Sequence, residues 1–254
     1  MPALRAIAGM LANPGATFAA FPEKQPWFVP LLLFCLISAV PAGLVAPELA
    51  DLAGQQVADT AQQAGLPARE IDNLVRLGRS AALVGGIVAG FLAPVLEALG
   101  TAVVVWILLL VLRNRLSFGR LFSVATYAYV PHVFATVLVT ALVASGMYDM
   151  VAMQGVLPTS LRAMFPGAIA GFTGAGFLSE LLKRIELFTL WSTVLLGIGL
   201  SAATDRTARW GIGVALAAWL LIALAGSALS ALGSAAGHWP TGAGGIPGLG
   251  GGIR

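Results

Sequence analysis

The sequence predicts an all-α integral membrane protein: a five-span helical bundle with flanking amphipathic surface helices. Three observations predict it. The chain is 58% hydrophobic and 10% charged, whereas a soluble domain carries about a quarter charged residues. Its charges are clustered, which leaves uncharged stretches long enough for the roughly 20 apolar residues that a bilayer crossing needs. Residues 187–232 hold two such stretches joined by a short basic turn from Asp205 to Arg209, the pattern of a membrane hairpin. The net charge of +3 is not read as nucleic-acid binding, because the cations sit beside spans, where they act as topology signals. Cys35 is the one cysteine, so no disulfide within the chain is possible. Arg outnumbers Lys twelve to two among the 14 basic residues, a bias that points to a GC-rich bacterial genome; the expected location is a bacterial inner membrane.

Residues 1–26 lack the continuous apolar core of a signal peptide. Leu4, Ile7, Ala8 and Leu11 fall on one helical face. Asn13 and Pro14 form a helix-start pair, a capping side chain and then a residue that needs no amide donor. This segment is expected as two amphipathic helices on the membrane surface, with Phe18 on the second. The first span is expected at 27–45, opened by the interfacial Trp27 and kinked at Pro41. Residues 46–79 are expected as a polar loop whose helical end runs into the second span. Ser80–Leu112 is too long for one crossing, at about 50 Å against a hydrocarbon core of about 30 Å. The core of the span is placed at 88–112, with Pro94 as its kink site. Gly86 and Gly90 form a small-residue pair for close helix approach, and Gly197 is a further packing position.

Residues 113–126 are expected as a surface helix. Ser117 is its cap, and Phe118, Leu121, Phe122 and Ala125 share one face. The third span follows at 127–147. Residues 148–184 are the hardest to read. The Gly-rich apolar run within 163–182 is expected as re-entrant or surface helices rather than a sixth span. The fourth and fifth spans are expected at 185–203 and 210–232, followed by a flexible Gly-rich tail at 233–254. With five spans, the N-terminus and the two short loops carry Arg5, Lys24, Arg113, Arg115, Arg120, Arg206 and Arg209 against Glu23 and Asp205. Short loops decide orientation, so the N-terminus is expected in the cytoplasm and the C-terminus outside.

The order of segments resembles the bacterial branch of the Yip (Ypt-interacting-protein) domain family. Asn13-Pro14 with Thr17-Phe18 looks like its opening. Leu116 to Pro131 looks like its central amphipathic helix leading into a span. Pro158 to Leu161, then Ile185 to Gly199, look like its closing signature, with Glu186 where Asp is commoner. The resemblance implies five spans and a cytoplasmic N-terminus. Eukaryotic relatives bind Rab-type GTPases through a long cytosolic N-terminal region. Only 26 residues precede the first span here and none matches that motif, so GTPase binding is not carried over.

Glu97 is the sharpest chemical candidate, since a charged side chain within a span costs about 2.5–3.5 kcal/mol on insertion scales. It lies 16 residues from Arg113, about 24 Å at helical rise, in the outer part of the membrane. Lys183, Arg184 and Glu186 stand at the mouth of the fourth span on that side. Thr101, Thr140 and Ser192 share the depth. The functional reading is an outward-facing polar pocket or proton-coupled site. The structural reading, which is favoured, is a contact from Glu97 to Lys183 or Arg184, or a protonated, hydrogen-bonded Glu97. His132, counted from Tyr127, falls near the cytoplasmic end, so it is not expected to pair with Glu97. No metal site is expected from His132, His238 and Cys35. Arg113, Arg115 and Arg120, beside Phe118, are candidates for anionic-lipid contact, with a pure orientation role favoured. No nucleophile–base pair, metal cluster or phosphate loop appears, so no enzyme and no cofactor are expected. The leading expectation is a non-enzymatic membrane-organising or adaptor protein whose partners are membrane lipids, other membrane proteins or itself. The alternative is a small transporter or channel coupled through Glu97.

Overall fold

The computed structural model describes residues 3–22, 25–146, 159–164 and 175–237. Among these residues the chain forms α1 (Ala3–Ala12), α2 (Pro14–Ala19), α3 (Phe28–Gln63), α4 (Ala68–Val111), α5 (Phe118–Ala128), α6 (Val130–Ala144), α7 (Leu161–Met164), α8 (Ala175–Arg184), α9 (Leu187–Thr204) and α10 (Ala208–Gly237). Five stretches among them are long and apolar enough to cross a membrane: Phe28–Gln63, Ala68–Val111, Phe118–Leu142, Leu187–Thr204 and Ala208–Ser230. The expected all-α class with five spans is therefore the observed one.

The first difference lies at 46–79. The expected polar loop is helix on both sides of a tight turn. α3 has 36 residues and α4 has 44, about 54 and 66 Å at helical rise. Both outrun the hydrocarbon core, and both continue through their internal prolines, Pro41 and Pro47 in α3 and Pro94 in α4. Their excess length pairs as an antiparallel arm. Ala46, Ala50, Gly54 and Ala61 form a buried small-residue seam on α3. Such a seam lets backbones approach closely: Val75 and Arg79 lie over Gly54, and Val57 lies over Gly78. Arg79 and Asp51 bridge the arm as an exposed ion pair. Its turn is closed by Gly65 in the left-handed region, φ +71°, with Leu66 N–H donating to the Ala61 carbonyl at 3.1 Å, a Schellman ending. Charge here marks where the helices leave lipid, not where they stop.

The second difference is α5. Its amphipathic sequence suggested a surface helix, yet every residue from Leu121 to Ala128 is buried, packed by α4, α9 and α1. It runs into α6 as one crossing element. Ser117 occupies the cap position without a side-chain cap bond. Helices α1 and α2 flank the bundle: Leu4, Ala8 and Leu11 of the expected face stay exposed, and the opposite face docks on protein. Ala6, Met10, Thr17 and Phe18 are buried, because α2 seats Phe18 over Gly199 of α9, beside Val124. Asn13 caps α2 as expected, its Oδ1 accepting from Ala16 N–H at 3.1 Å.

Gly90 meets Ala42 of α3 where a Cβ would clash, and Gly197 meets the Ile212 backbone of α10, so both serve close helix approach. Gly86 faces open space among the described residues. α10 continues to Gly237, past the expected start of the tail at 233; residues 238–254, with His238, lie outside the described residues. So does half of the re-entrant stretch within 163–182, at 165–174. Its flanks are the short helices α7 and α8, joined by a hydrogen bond from Arg162 to Ser179.

Candidate functional site

The middle of the bundle holds a cavity of about 340 Å³. One wall is α4, with Leu96, Glu97, Thr101 and Val104. Others are the α5–α6 junction, with Tyr129 and His132, and α9, with Thr189, Ser192, Thr193 and Leu196. Arg184, at the end of α8, and Trp219 and Ile222 of α10 close it. Four of the seven residues expected at an intramembrane polar site thus come together: Glu97, Thr101, Arg184 and Ser192.

His132 joins them, against expectation. Its Nε2 lies 3.5 Å from Glu97 Oε1. The expected separation came from counting depth from Tyr127, taken as the membrane surface. The crossing element actually begins at Phe118. Fourteen residues separate Phe118 from His132, about 21 Å at helical rise, close to the depth of Glu97 reckoned from Arg113. Tyr129 was also missed. Its ring stacks on His132 at 4.6 Å, and its hydroxyl interacts with Glu97 and with Ser38 of α3. Its i,i+3 spacing from His132 was the available signal.

The other three candidates lie elsewhere. Lys183 pairs with Glu180 at 2.6 Å. Thr140 donates to the Thr136 carbonyl at 2.7 Å, within α6. Glu186 caps α9: its carboxylate accepts from Phe188 N–H at 3.0 Å and Thr189 N–H at 2.8 Å, and from Thr159 Oγ1 at 2.7 Å. A carboxylate is favoured at a helix N-terminus, so Glu186 is buried yet matched. Inside the cavity Ser192 Oγ donates to the Ala128 carbonyl at 2.6 Å, tying α9 to α5. Arg184 has neither role. Its Nε is buried without a hydrogen-bond partner, and its far end rests against Gly226.

A second polar cluster, absent from the sequence expectations, joins the N-terminal segment to α5. Gln25 Nε2 donates to Tyr127 Oη at 3.0 Å, Tyr127 Oη donates to the Pro26 carbonyl at 3.0 Å, and Ser123 Oγ donates to the Gln25 carbonyl at 3.0 Å. The candidate lipid-contact residues lie at and just after the α4–α5 turn. Arg113 and Arg115 are exposed, Arg120 is intermediate, and Phe118 packs against the core and stacks on Phe122.

A family model described as the Yip1 domain matches residues 8–229. The chain is similar to a protein described as membrane protein YknW from Bacillus subtilis (strain 168), 24% identical over 215 residues, covering 80% of each chain. No solved structure matches.

Proposed function

The chain belongs to the Yip1 domain family of membrane proteins, and from that premise we propose that it works as a non-enzymatic membrane-organising or adaptor protein. The α3–α4 arm carries this reading. An arm of paired helices, longer than the bilayer requires, offers a surface apart from the bundle. Leu74 and Leu77, one helical turn apart, remain exposed on it, while Ile71 and Val75 are partly buried. The rings of Phe18, buried in the core, and Phe118, partly buried against it, face the bundle instead. In the bacterial inner membrane, with the N-terminus cytoplasmic, the arm projects outside the cell membrane and Arg113, Arg115 and Arg120 face the cytoplasmic leaflet, where anionic lipid attracts them. Photocrosslinking residues at Leu74 and Leu77 in living cells test the reading. A discrete protein adduct is expected there and not from the span position Leu220. Equal labelling at both places refutes the arm as a docking element.

A second reading, a small solute carrier, is favoured by the cavity that brings Glu97, His132 and Arg184 together. It requires water to reach Glu97. Glu97→Gln should then abolish flux while folded protein is retained, and loss of stability alone defeats it.

A further inference from the structure

Charged groups gather where α8 meets the bundle, and most have protein counterparts. Glu180 takes Lys183, Glu186 takes the start of α9, and Glu97 takes His132. Arg184 is left over. Among the described residues no carboxylate lies within 4.0 Å of it, and its buried Nε makes no hydrogen bond. The residue is half-buried, and its guanidinium offers a fork of donors that matches two oxygens of a carboxylate or phosphate. Beside the polar wall of Glu97, His132 and the hydroxyls of α9, Leu96, Leu196, Trp219 and Ile222 give the same cavity an apolar stretch. That cavity reaches the bundle surface on α4, where Leu96 is 65% exposed and the Glu97 side chain 48% exposed, at a depth where lipid is the solvent. Its volume of about 340 Å³ falls at the small end of ligand sites, which run about 300–1,000 Å³.

We infer that this pocket binds a single-chain amphiphile, with its anionic phosphate or carboxylate head on Arg184 and its apolar chain along Leu96, Leu196, Trp219 and Ile222. Glu97 fixes the direction. Its carboxylate repels an anion from the α4 wall and leaves Arg184 as the place where the head can rest. Gly226 keeps room for the guanidinium, since a Cβ there would collide with its far end.

Native mass spectrometry of the full chain in mild detergent tests this with three probes: palmitoyl lysophosphatidic acid, monopalmitoylglycerol and inorganic phosphate. The wild type should take up the lysophosphatidic acid at least about tenfold more tightly than the neutral glyceride, a gap typical of one charged hydrogen-bonded group. Inorganic phosphate alone should bind weakly. Arg184→Gln should erase the gap and Arg184→Lys should keep part of it. Arg206→Gln, which removes a cation at the opposite end of α9, should leave it unchanged. Gly226→Ala retains the charge but crowds the guanidinium, and it should narrow the gap. If Arg184→Gln does not fold, Gly226→Ala decides. A folded Arg184→Gln, or in its place Gly226→Ala, that binds like wild type overturns the inference. An equal loss in Arg206→Gln overturns it too, because surface charge would then explain the selectivity. Phosphate binding as tight as the lipid overturns the apolar half.

Discussion

Tyr127 and Tyr129 stand two residues apart and anchor two polar clusters that the bundle treats in opposite ways. The Tyr127 hydroxyl is fully buried, takes a donor from Gln25 and gives its proton to the Pro26 carbonyl. Ser123 ties the Gln25 backbone down as well. In that cluster only Gln25 Oε1 lacks a partner. Phe21 packs edge-on against the Tyr127 ring at 4.9 Å, so no space is left. Around Tyr129 the Glu97–His132 contact is long, at 3.5 Å, and His132 Nδ1 and Arg184 Nε are both buried without partners. A cavity lies between them. Polar groups buried among lipid or protein are normally matched. A closed cluster therefore reads as a joint that holds the N-terminal segment on α5. An open cluster lining a cavity reads as a place reserved for something else.

The contrast breaks most visibly at Tyr127. Tyr127→Ala empties a filled site and orphans two groups, so it should cost about 3–5 kcal/mol, measured as a shift in unfolding by added dodecyl sulfate. Tyr127→Phe keeps the ring and loses the hydroxyl, and should cost about 1–3 kcal/mol. Arg184 should respond with the opposite sign. Arg184→Met removes a charge that has no carboxylate within 4.0 Å among the described residues and places an apolar side chain in the cavity of Leu96, Leu196, Trp219 and Ile222. It should be neutral or raise stability by about 1 kcal/mol in ligand-free detergent solution. A destabilisation as large as that at Tyr127 would mean that Arg184 is a structural strut and that the two clusters do not differ in kind.

How much of this was legible in the chain follows from what each signal measures. Hydropathy reports transfer from water, so the five crossings and the isolated acid at Glu97 stood out. The Asn13-Pro14 start was legible because a cap is a local bond. Hydropathy does not distinguish lipid from protein as the apolar partner, and α5 was therefore placed on the membrane surface when Leu121 to Ala128 pack into the bundle. Nor does it separate a loop from a solvated helix, which is why the Ala46, Ala50, Gly54 and Ala61 seam was passed over and the arm was read as a loop. The error on His132 descended from the one on α5, because depth was counted from the wrong end of the crossing element. Arg184 was picked out as a cation near Glu97. That it pairs with no acid among the described residues depends on where Glu180 and Glu186 send their own carboxylates, and no spacing in the sequence gives that.

The smallest expected effect is also the sharpest measure of the contrast. In the closed cluster, Gln25→Ala and Tyr127→Phe remove two ends of one 3.0 Å hydrogen bond between fully enclosed groups. In the open one, Glu97→Gln and His132→Gln remove the two ends of a 3.5 Å contact in which the carboxylate is 48% exposed. Hydrogen bonds between membrane helices average about 0.6 kcal/mol in double-mutant cycles, with a maximum near 1.7. The Gln25–Tyr127 cycle should fall in the upper part of that range. The Glu97–His132 cycle should lie at or below the average, since long, partly exposed contacts couple weakly. A Glu97–His132 coupling above that of Gln25–Tyr127 would make the pair a structural bond in its own right. The pocket would then be a by-product of packing rather than a reserved space.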